Sequence, residues 1–260
     1  MDSYVSNPER QLASLAHILA RGAEIHPERI AVSDLLNGKT LTYRELDARV
    51  SSLARAMISH GIRKGDLVAM MFNNEAGGLE TIMATARTGA VIAPVNVRLL
   101  PSEVAEYVNA HNCTAIIARS DYTPKFVDAT ARVRIATNAP KGWSDYETEI
   151  SRHDSSPLPV VTSLEDPLRM IPTGGTTGVS KGVVHSHGGT YFTVLSNIAE
   201  FGVGRGWKTL MIAPIYHGAG MDWGMFPLLW RGGTVIFPED VSFNPQKYLD
   251  IVRSRKVEFL

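Results

Sequence analysis

The sequence predicts an α/β fold in which parallel-sheet layers are flanked by helices. Strand-like apolar runs alternate with amphipathic helical stretches between residues 42 and 118, which is the pattern of a parallel sheet with right-handed crossovers. The run at residues 67–72 is continuously apolar, as in a strand that is buried on both faces. A glycine-rich segment at residues 173–182, flanked by short apolar runs, is the most distinctive motif of the chain.

The first helix of this alternation is predicted to begin at a capping box. The Thr42 side chain can accept a hydrogen bond from the helix start, and Glu45, three residues later, can reach back to it. Gly61 is expected to end the helix. One buried face is predicted from apolar residues that recur with a period of about 3.6. These residues are Leu46, Val50, Leu53, Ala54, Met57 and Ile58.

The alternation continues to residue 118. Strands are predicted over residues 67–72, 90–95 and 114–118, and a helix over residues 75–88 that ends at Gly89. Pro101 suits the first turn of a further helix, in which Val104 and Val108 would face inward.

The remainder of the chain shows a weaker pattern. Residues 121–164 are polar and contain prolines, and they are predicted to form irregular connections. A helix is expected over about 187–199, strands over 209–213 and 234–237, and a helix that follows Asn244 and runs to about 255. Residues 257–260 are typical of the beginning of a strand, so we expect a chain that stops there to be cut rather than complete.

Composition narrows the class of protein. Lys and Arg total 26, as do Asp and Glu, so we expect no nucleic acid partner and no bulk binding to an anionic membrane. The single cysteine, Cys113, lies in an apolar run and is expected to be a buried thiol outside any disulfide. No signal peptide and no integral membrane segment are predicted. A cytoplasmic enzyme is therefore the expectation, and a homodimer is left open.

The glycine-rich segment combines three requirements of a polyphosphate site. Its glycines let backbone N–H groups approach oxygens closely, its hydroxyls can donate hydrogen bonds or meet a cation, and its lysine adds a positive charge. We therefore predict a phosphate-binding loop rather than a flexible surface loop. The candidate binding residues are Thr173, Gly174, Gly175, Thr176, Thr177, Gly178, Ser180 and Lys181.

Two familiar phosphate motifs do not match this segment. A Walker A loop places its lysine between Gly and Ser or Thr, whereas Lys181 follows Ser180 and precedes Gly182. A dinucleotide fingerprint requires Gly-x-Gly-x-x-Gly after a strand, and residues 202–206 have a different spacing that predicts a turn.

The segment resembles the phosphate-binding signature of the acyl-activating, adenylate-forming (AMP-binding) superfamily, which includes acyl-CoA synthetases. It departs from the usual Thr-Ser-Gly-Thr-Thr-Gly-x-Pro-Lys-Gly at Gly174 and Ser180, and Pro172 stands where an aromatic residue is common. Residues 41–46, 89–96 and 213–220 resemble further motifs of this family, and the resemblance extends from about residue 12 to the end.

The resemblance implies the incomplete N-terminal domain of an adenylate-forming enzyme. Residues of about 42–200 would form a first α/β subdomain and about 205–260 the start of a second, without the C-terminal lid domain.

His217, in the motif at 213–220, would border the acyl pocket, and a ligand at a strand end is common in α/β sheets. Trp223 and Met225 would contribute to this pocket only if they were not core residues. His185 and His187 are not expected to bind a metal, because residues i and i+2 at a helix start do not share a face.

The chemistry implied is ATP-dependent activation of a carboxylic acid. The carboxylate attacks the α-phosphorus of ATP, which gives an acyl-adenylate and pyrophosphate, and a thiol, usually coenzyme A, then displaces AMP. Lys181 and His217 are the candidate catalytic residues, and Thr173 is the candidate ligand of Mg²⁺. The expected substrate is a fatty or other hydrophobic carboxylic acid.

Several parts of the family's site do not occur in these 260 residues. The motif Tyr-Gly-x-Thr-Glu and the lysine of the lid domain are absent, so we expect the chain by itself to be inactive or nearly so. The alternatives are another adenylating enzyme, such as an aryl-CoA ligase or an amino-acid adenylation domain, and a non-catalytic fragment that binds a nucleotide or an acyl group.

Overall fold

A computed structural model describes residues 14–172, 182–239 and 242–260. The helices of these residues, in chain order, are α1 (His17–Ile25), α2 (Tyr43–Ser59), α3 (Ala76–Thr88), α4 (Pro101–Ala110), α5 (Tyr146–Arg152), α6 (His187–Glu200), α7 (Phe226–Trp230) and α8 (Pro245–Arg255). A 3₁₀ helix (Ser120–Phe126) and a π-helix (Gly220–Met225) accompany them. The strands are β1 (Ile30–Asp34), β2 (Lys39–Thr42), β3 (Leu67–Met71), β4 (Val91–Pro94), β5 (Ala115–Ala118), β6 (Val133–Ala136), β7 (Ser144–Asp145), β8 (Pro167–Pro172), β9 (Gly182–Ser186), β10 (Lys208–Leu210) and β11 (Thr234–Phe237).

The larger sheet has the strand order β7-β6-β5-β3-β4-β8-β9 within the described residues. Its strands from β7 to β8 are parallel, and β9 returns antiparallel to β8 at the edge. The predicted parallel sheet is therefore confirmed. Both faces of β3 are buried: Val68 and Met70 join the core beneath α2 and α3, and Ala69 and Met71 join the core beneath α4. This two-sided burial explains why the strand is apolar at consecutive positions.

The smaller sheet has the order β10-β11-β1-β2 and draws its strands from distant parts of the sequence. β11 is parallel to both β1 and β10, and β2 is antiparallel to β1. Residues 32–34 of β1 therefore pair with residues 235–237 of β11, near the other end of the described chain. The subdomain boundaries given above stay a prediction.

The start of α2 agrees with the prediction in detail. Thr42 accepts a hydrogen bond from the Glu45 backbone, and the Glu45 carboxylate accepts one from the Thr42 backbone at 2.8 Å. Ile58, however, is 41% exposed, so its assignment to the buried face is wrong. One residue advances an α-helix by about 100°, and Ile58 is thereby turned away from the core that its neighbour Met57 enters.

Residues 121–164 are more regular than predicted. They include β6, β7, α5 and most of the 3₁₀ helix, and β6 extends the larger sheet beside β5. Asp145 caps α5, because its carboxylate accepts a hydrogen bond from the Thr148 backbone at 2.9 Å. These elements are too short for a periodic pattern to be visible, and only their neighbours in space make them regular.

The predicted strand at 209–213 is shorter than expected. β10 ends at Leu210, because the carbonyls of Met211 and Ala213 are bound by the Asn74 side chain instead of by another strand. At the end of the chain, Phe259 forms an isolated parallel bridge with Thr209, which agrees with the beginning of a strand there. No helix of the described residues is long and apolar enough to cross a membrane.

Cys113 is buried, as predicted. Its side chain packs in the core beneath α4, and burial raises the pKa of the thiol to about 12. The thiol therefore stays protonated and unreactive near neutral pH.

A buried ion pair joins the larger sheet to the π-helix. Arg169 on β8 donates to both carboxylate oxygens of Asp222, at 2.6 and 2.5 Å. Both side chains are almost fully buried, with relative exposures of 2% and 12%. A charge in such a place is tolerated only while its partner is present.

We expect Asp222→Ala to lower the free energy of unfolding by about 3–5 kcal/mol, because it leaves the Arg169 guanidinium buried and unpaired. Glu28→Ala is the control, since it removes one partner of an exposed pair with Arg44 and should cost at most about 1 kcal/mol. Urea unfolding of both variants measures the difference. Equal losses in the two variants would show that the buried pair has no special role in stability.

Candidate functional site

The two strands that flank the glycine-rich segment meet at one point of the larger sheet. Pro172, the last residue of β8, is paired in register with Gly182, the first residue of β9. Because β8 is parallel to β4, both residues lie at the edge of the sheet where the parallel strands end. The candidate residues Thr173, Gly174, Gly175, Thr176, Thr177, Gly178, Ser180 and Lys181 lie outside the described residues, and their roles stay predictions.

The same edge carries polar residues that follow the neighbouring strands. Asn73 and Asn74 follow β3, Arg98 follows β4, and Arg119 follows β5 directly. The carboxyl ends of parallel strands are the usual ligand-binding side of an open α/β sheet. This edge is therefore the candidate site.

Asn74 fixes the segment that carries His217. Its amide nitrogen donates to the carbonyls of Met211 and Ala213 at 2.9 and 3.1 Å, and its amide oxygen accepts from the Ile215 backbone at 2.7 Å. One side chain thus satisfies three backbone groups of the segment between β10 and the π-helix. Sequence analysis did not identify Asn74, because a single polar residue after a strand gives no signal of a partner 137 residues away.

His217 lies on a tight turn after this segment. Its backbone N–H donates to the Pro214 carbonyl at 3.0 Å, and the chain then folds back so closely that a Cβ on Gly220 would lie 2.3 Å from the Pro214 oxygen. Such a distance excludes any side chain at position 220 without a shift of the backbone. The role of His217 at an acyl pocket stays a prediction.

The surroundings of His217 favour its neutral form. Its ring lies 4.7 Å from the ring of Tyr216, measured between centroids. Partial burial and then the positive charge of Arg98 lower the pKa of His217 below its usual value. A neutral imidazole can donate one hydrogen bond and accept another, and Arg98 adds a positive charge beside it.

A small cavity of about 140 Å³ lies between the two sheets next to this turn. Asn73, Asn74 and Arg98 line it from the larger sheet, and Tyr216 and Phe243 line it from the other side. Its wall combines amide groups, one guanidinium and aromatic rings. Such a surface suits an anionic ligand that also has an apolar part.

The π-helix that follows His217 is hydrogen-bonded to β8 and to α6. Asp222 accepts from Arg169 through its carboxylate, and its carbonyl accepts from the Asn197 amide of α6 at 3.0 Å. π-Helical turns are rare and frequently occur at functional sites. Of the two candidate pocket residues on this helix, Trp223 is 55% exposed and Met225 is fully buried in the core.

The two other histidines considered above, His185 and His187, belong to different elements. His187 is fully buried at the start of α6, and its Nδ1 lies 3.0 Å from the Ser14 hydroxyl. Burial lowers the pKa of His187 to about 4, so its ring is neutral. His185 lies on β9 and not on a helix. Within residues 14–172, 182–239 and 242–260, no group of three His, Cys, Asp or Glu side chains is placed to hold a metal ion.

Comparisons with known proteins agree with this geometry. Residues 19–260 match the model of the AMP-binding enzyme family. A feruloyl-CoA synthase from an Amycolatopsis species is 30% identical over 237 residues, which are 91% of this chain and 46% of that protein.

Solved structures share the fold. A fatty acyl CoA synthetase from Mycobacterium tuberculosis superposes with a TM-score of 0.81 at 21% identity, covering 95% of this chain and 49% of that one. A MatB protein from Rhodopseudomonas palustris, solved with ATP bound, superposes with a TM-score of 0.79 at 23% identity, covering 93% of this chain and 48% of that one.

The chain spans about half the length of the curated relatives it matches, and it corresponds to their N-terminal portion. The predicted fold class is thereby confirmed. Several of the relatives it matches are named CoA ligases or synthases. Since the family match covers nearly the whole sequence, including the segment at 173–182, this chain belongs to the AMP-binding enzyme family.

Proposed function

We propose that this chain provides the ATP-binding and acyl-binding part of an enzyme that converts a carboxylic acid into an acyl-adenylate and then into an acyl-CoA. In the first step the carboxylate oxygen forms a bond to the α-phosphorus of ATP, and pyrophosphate leaves. In the second step the thiol sulfur of coenzyme A forms a bond to the acyl carbon, and AMP leaves.

One observation carries this proposal. The β8–β9 hairpin, which leads into and out of the glycine-rich segment, is bound through Arg169 and Asp222 to the π-helix that follows His217. Arg169 and Asp222 are 53 residues apart in the sequence, and their contact packs the hairpin against the π-helix. Adenylation requires this proximity, because much of its rate comes from positioning two reactants.

The positive charge at this edge fits the proposed substrates. ATP, a carboxylate and coenzyme A are all anions, and Arg98 lies beside His217 with no carboxylate partner in the described part of the chain. Mg²⁺ prefers a few protein oxygens together with substrate phosphates, so one hydroxyl ligand such as Thr173 would be sufficient with ATP bound. The metal would add charge neutralisation at the phosphates.

The proposed carboxylic acid is hydrophobic. One side of the cavity next to the His217 turn is aromatic, at Tyr216 and Phe243, and would receive the apolar part of the acid, while Arg98 on the other side suits its carboxylate. The relatives include a protein named feruloyl-CoA synthase and one named fatty acid–[acyl-carrier-protein] ligase. Both names refer to acids with a large apolar part, which supports this class for the present chain.

The proposed phosphate-binding role of Lys181 can be tested by binding. We expect Lys181→Ala to weaken ATP binding to the chain about tenfold or more, because one hydrogen bond to a charged group is lost. Lys141→Ala is the control, since Lys141 is an exposed lysine in a turn on another part of the surface. Isothermal titration measures both affinities. If the two variants bind ATP equally well, Lys181 does not contact the phosphates.

The substrate class can be tested with non-hydrolysable acyl-adenylate analogues. We expect analogues with an aromatic or a long aliphatic acyl group to bind more tightly than the acetyl analogue, because apolar surface is buried in the acyl site. Thermal shift or titration calorimetry gives the ranking, with AMP as the reference ligand. If the acetyl analogue binds as tightly as the aromatic and long aliphatic analogues, this chain has no hydrophobic acyl site.

The positioning of His217 can be tested through Asn74. We expect Asn74→Ala to accelerate hydrogen exchange at the Ile215 amide, which loses its 2.7 Å acceptor, and to weaken binding of the preferred acyl-adenylate analogue. Asn197→Ala is the matched control: it removes a bond to the Asp222 carbonyl and leaves the Ile215 amide bonded. Unchanged exchange at Ile215 in Asn74→Ala would show that Asn74 does not hold this segment.

A further inference from the structure

A second pocket lies at the opposite edge of the smaller sheet from the candidate site. The strands β1, β10 and β11 are parallel, and the pocket lies where they begin. Arg21 lines it from the middle of α1 and His26 from the position after that helix. Arg205 lines it from the turn before β10, and Arg231 and Gly232 from the turn before β11. Its volume is about 260 Å³. The site described above lies where the strands end, so the two pockets are separate.

The side chains of this pocket carry an excess of positive charge. Arg21, Arg205 and Arg231 line it, and Arg29 lies beside it, where it donates to the Gly232 carbonyl at 3.0 Å. In the part of the chain that the structure describes, no carboxylate lies within 4.0 Å of any of these four guanidinium groups. The more deeply buried arginines differ in this respect: Arg87, for example, is paired with Asp47 at 2.5 Å. Guanidinium groups that have no carboxylate partner among the described residues give this pocket a positive potential, which favours an anionic ligand.

Backbone carbonyls hold three of these arginines, Arg21, Arg29 and Arg231, in place. Arg21 donates to the Trp230 carbonyl at 3.2 Å, and its guanidinium lies over the Trp230 ring at 4.4 Å from the centroid. Arg231 donates through Nε to the Val203 carbonyl at 2.9 Å. Each of these bonds uses one N–H group of a guanidinium that has five. The remaining N–H groups are available to a ligand, and the side chains are already ordered to receive it.

The groups converge on Gly232. A Cβ at this position would lie 2.6 Å from the His26 ring and 3.1 Å from Arg29 Nη1. Gly232 therefore lets the histidine and the arginine approach the backbone. Partial burial and then the charges of Arg29, Arg205 and Arg21 lower the pKa of His26, which agrees with a positive potential in the pocket.

We propose that this pocket binds a small molecule with two or more adjacent phosphate groups. Guanidinium groups match the geometry of phosphate oxygens through paired N–H donors, and several of them are needed to balance the charge of a di- or triphosphate. The pocket volume of about 260 Å³ is many times the roughly 10–15 Å³ that one enclosed water needs, so it leaves space for several linked phosphate groups. This site would bind its ligand independently of the adenylation chemistry proposed above.

The test uses inorganic tripolyphosphate as the probe and the 260-residue chain carrying Lys181→Ala, which weakens the loop proposed to bind ATP. Titration calorimetry is performed on this protein and on two further variants of it, Arg205→Glu and Arg253→Glu. Both change the net charge equally at an exposed arginine, but Arg253 lies on α8, outside the pocket. We expect Arg205→Glu to weaken binding about tenfold or more, and Arg253→Glu to leave it nearly unchanged.

Further measurements complete the test. Arg205→Gln is a milder substitution, and it shows whether the effect of Arg205→Glu comes from lost binding and not from unfolding. The indole N–H resonance of Trp230 should shift on binding, because Arg21 lies over that ring. Affinity should rise from orthophosphate to pyrophosphate to tripolyphosphate. If ATP without Mg²⁺ binds as tightly as tripolyphosphate, the ligand is a nucleotide. If ATP binds more weakly, the ligand is a polyphosphate without a nucleoside. Both results support the site. Equal binding by the two charge-reversal variants, or no binding once Lys181 is replaced, would overturn the proposal.

Discussion

The candidate site depends on one buried ion pair. Arg169 and Asp222 are 53 residues apart, and their bidentate contact binds the strand that leads into the glycine-rich segment to the helix that follows His217. Buried ion pairs are often no more stabilising than a hydrophobic contact of the same size, because both charges must lose their water. Their value here lies in geometry: two parallel hydrogen bonds permit one orientation of the helix against the strand, whereas an apolar contact would permit several.

Asn74 provides a second constraint of the same kind. The chain between β10 and the π-helix lies outside both sheets, and its backbone groups need partners because many of its neighbours are buried. One amide side chain at the end of β3 supplies three of these bonds. The larger sheet thereby determines where the His217 turn lies, although that turn follows a strand of the smaller sheet.

The two edges of the smaller sheet differ in charge and in the origin of their residues. The site edge combines amides, aromatic rings and Arg98 from both sheets. At the other edge, α1 and the turns before β10 and β11 bring arginines together, and the sequence separates Arg21 from Arg205 by more than 180 residues. A net charge of zero conceals this pocket entirely, since charge balance over a whole chain says nothing about its local distribution.

The sequence by itself determined the elements whose causes are local. The capping box at Thr42 and the left-handed Gly89 at the end of α3 depend on a few adjacent residues, and a continuously apolar run predicts a strand buried on both faces. The glycine-rich segment indicated the family for a similar reason, because its chemistry is contained in ten consecutive residues. Tertiary structure alone decided the rest: the exposure of Ile58, the shortened β10, the regular elements after residue 120, and the contacts of Asn74 and Arg169. Each of these results from a partner that is distant in sequence, and no local pattern records which distant residue will supply a hydrogen bond, a charge or a covering surface.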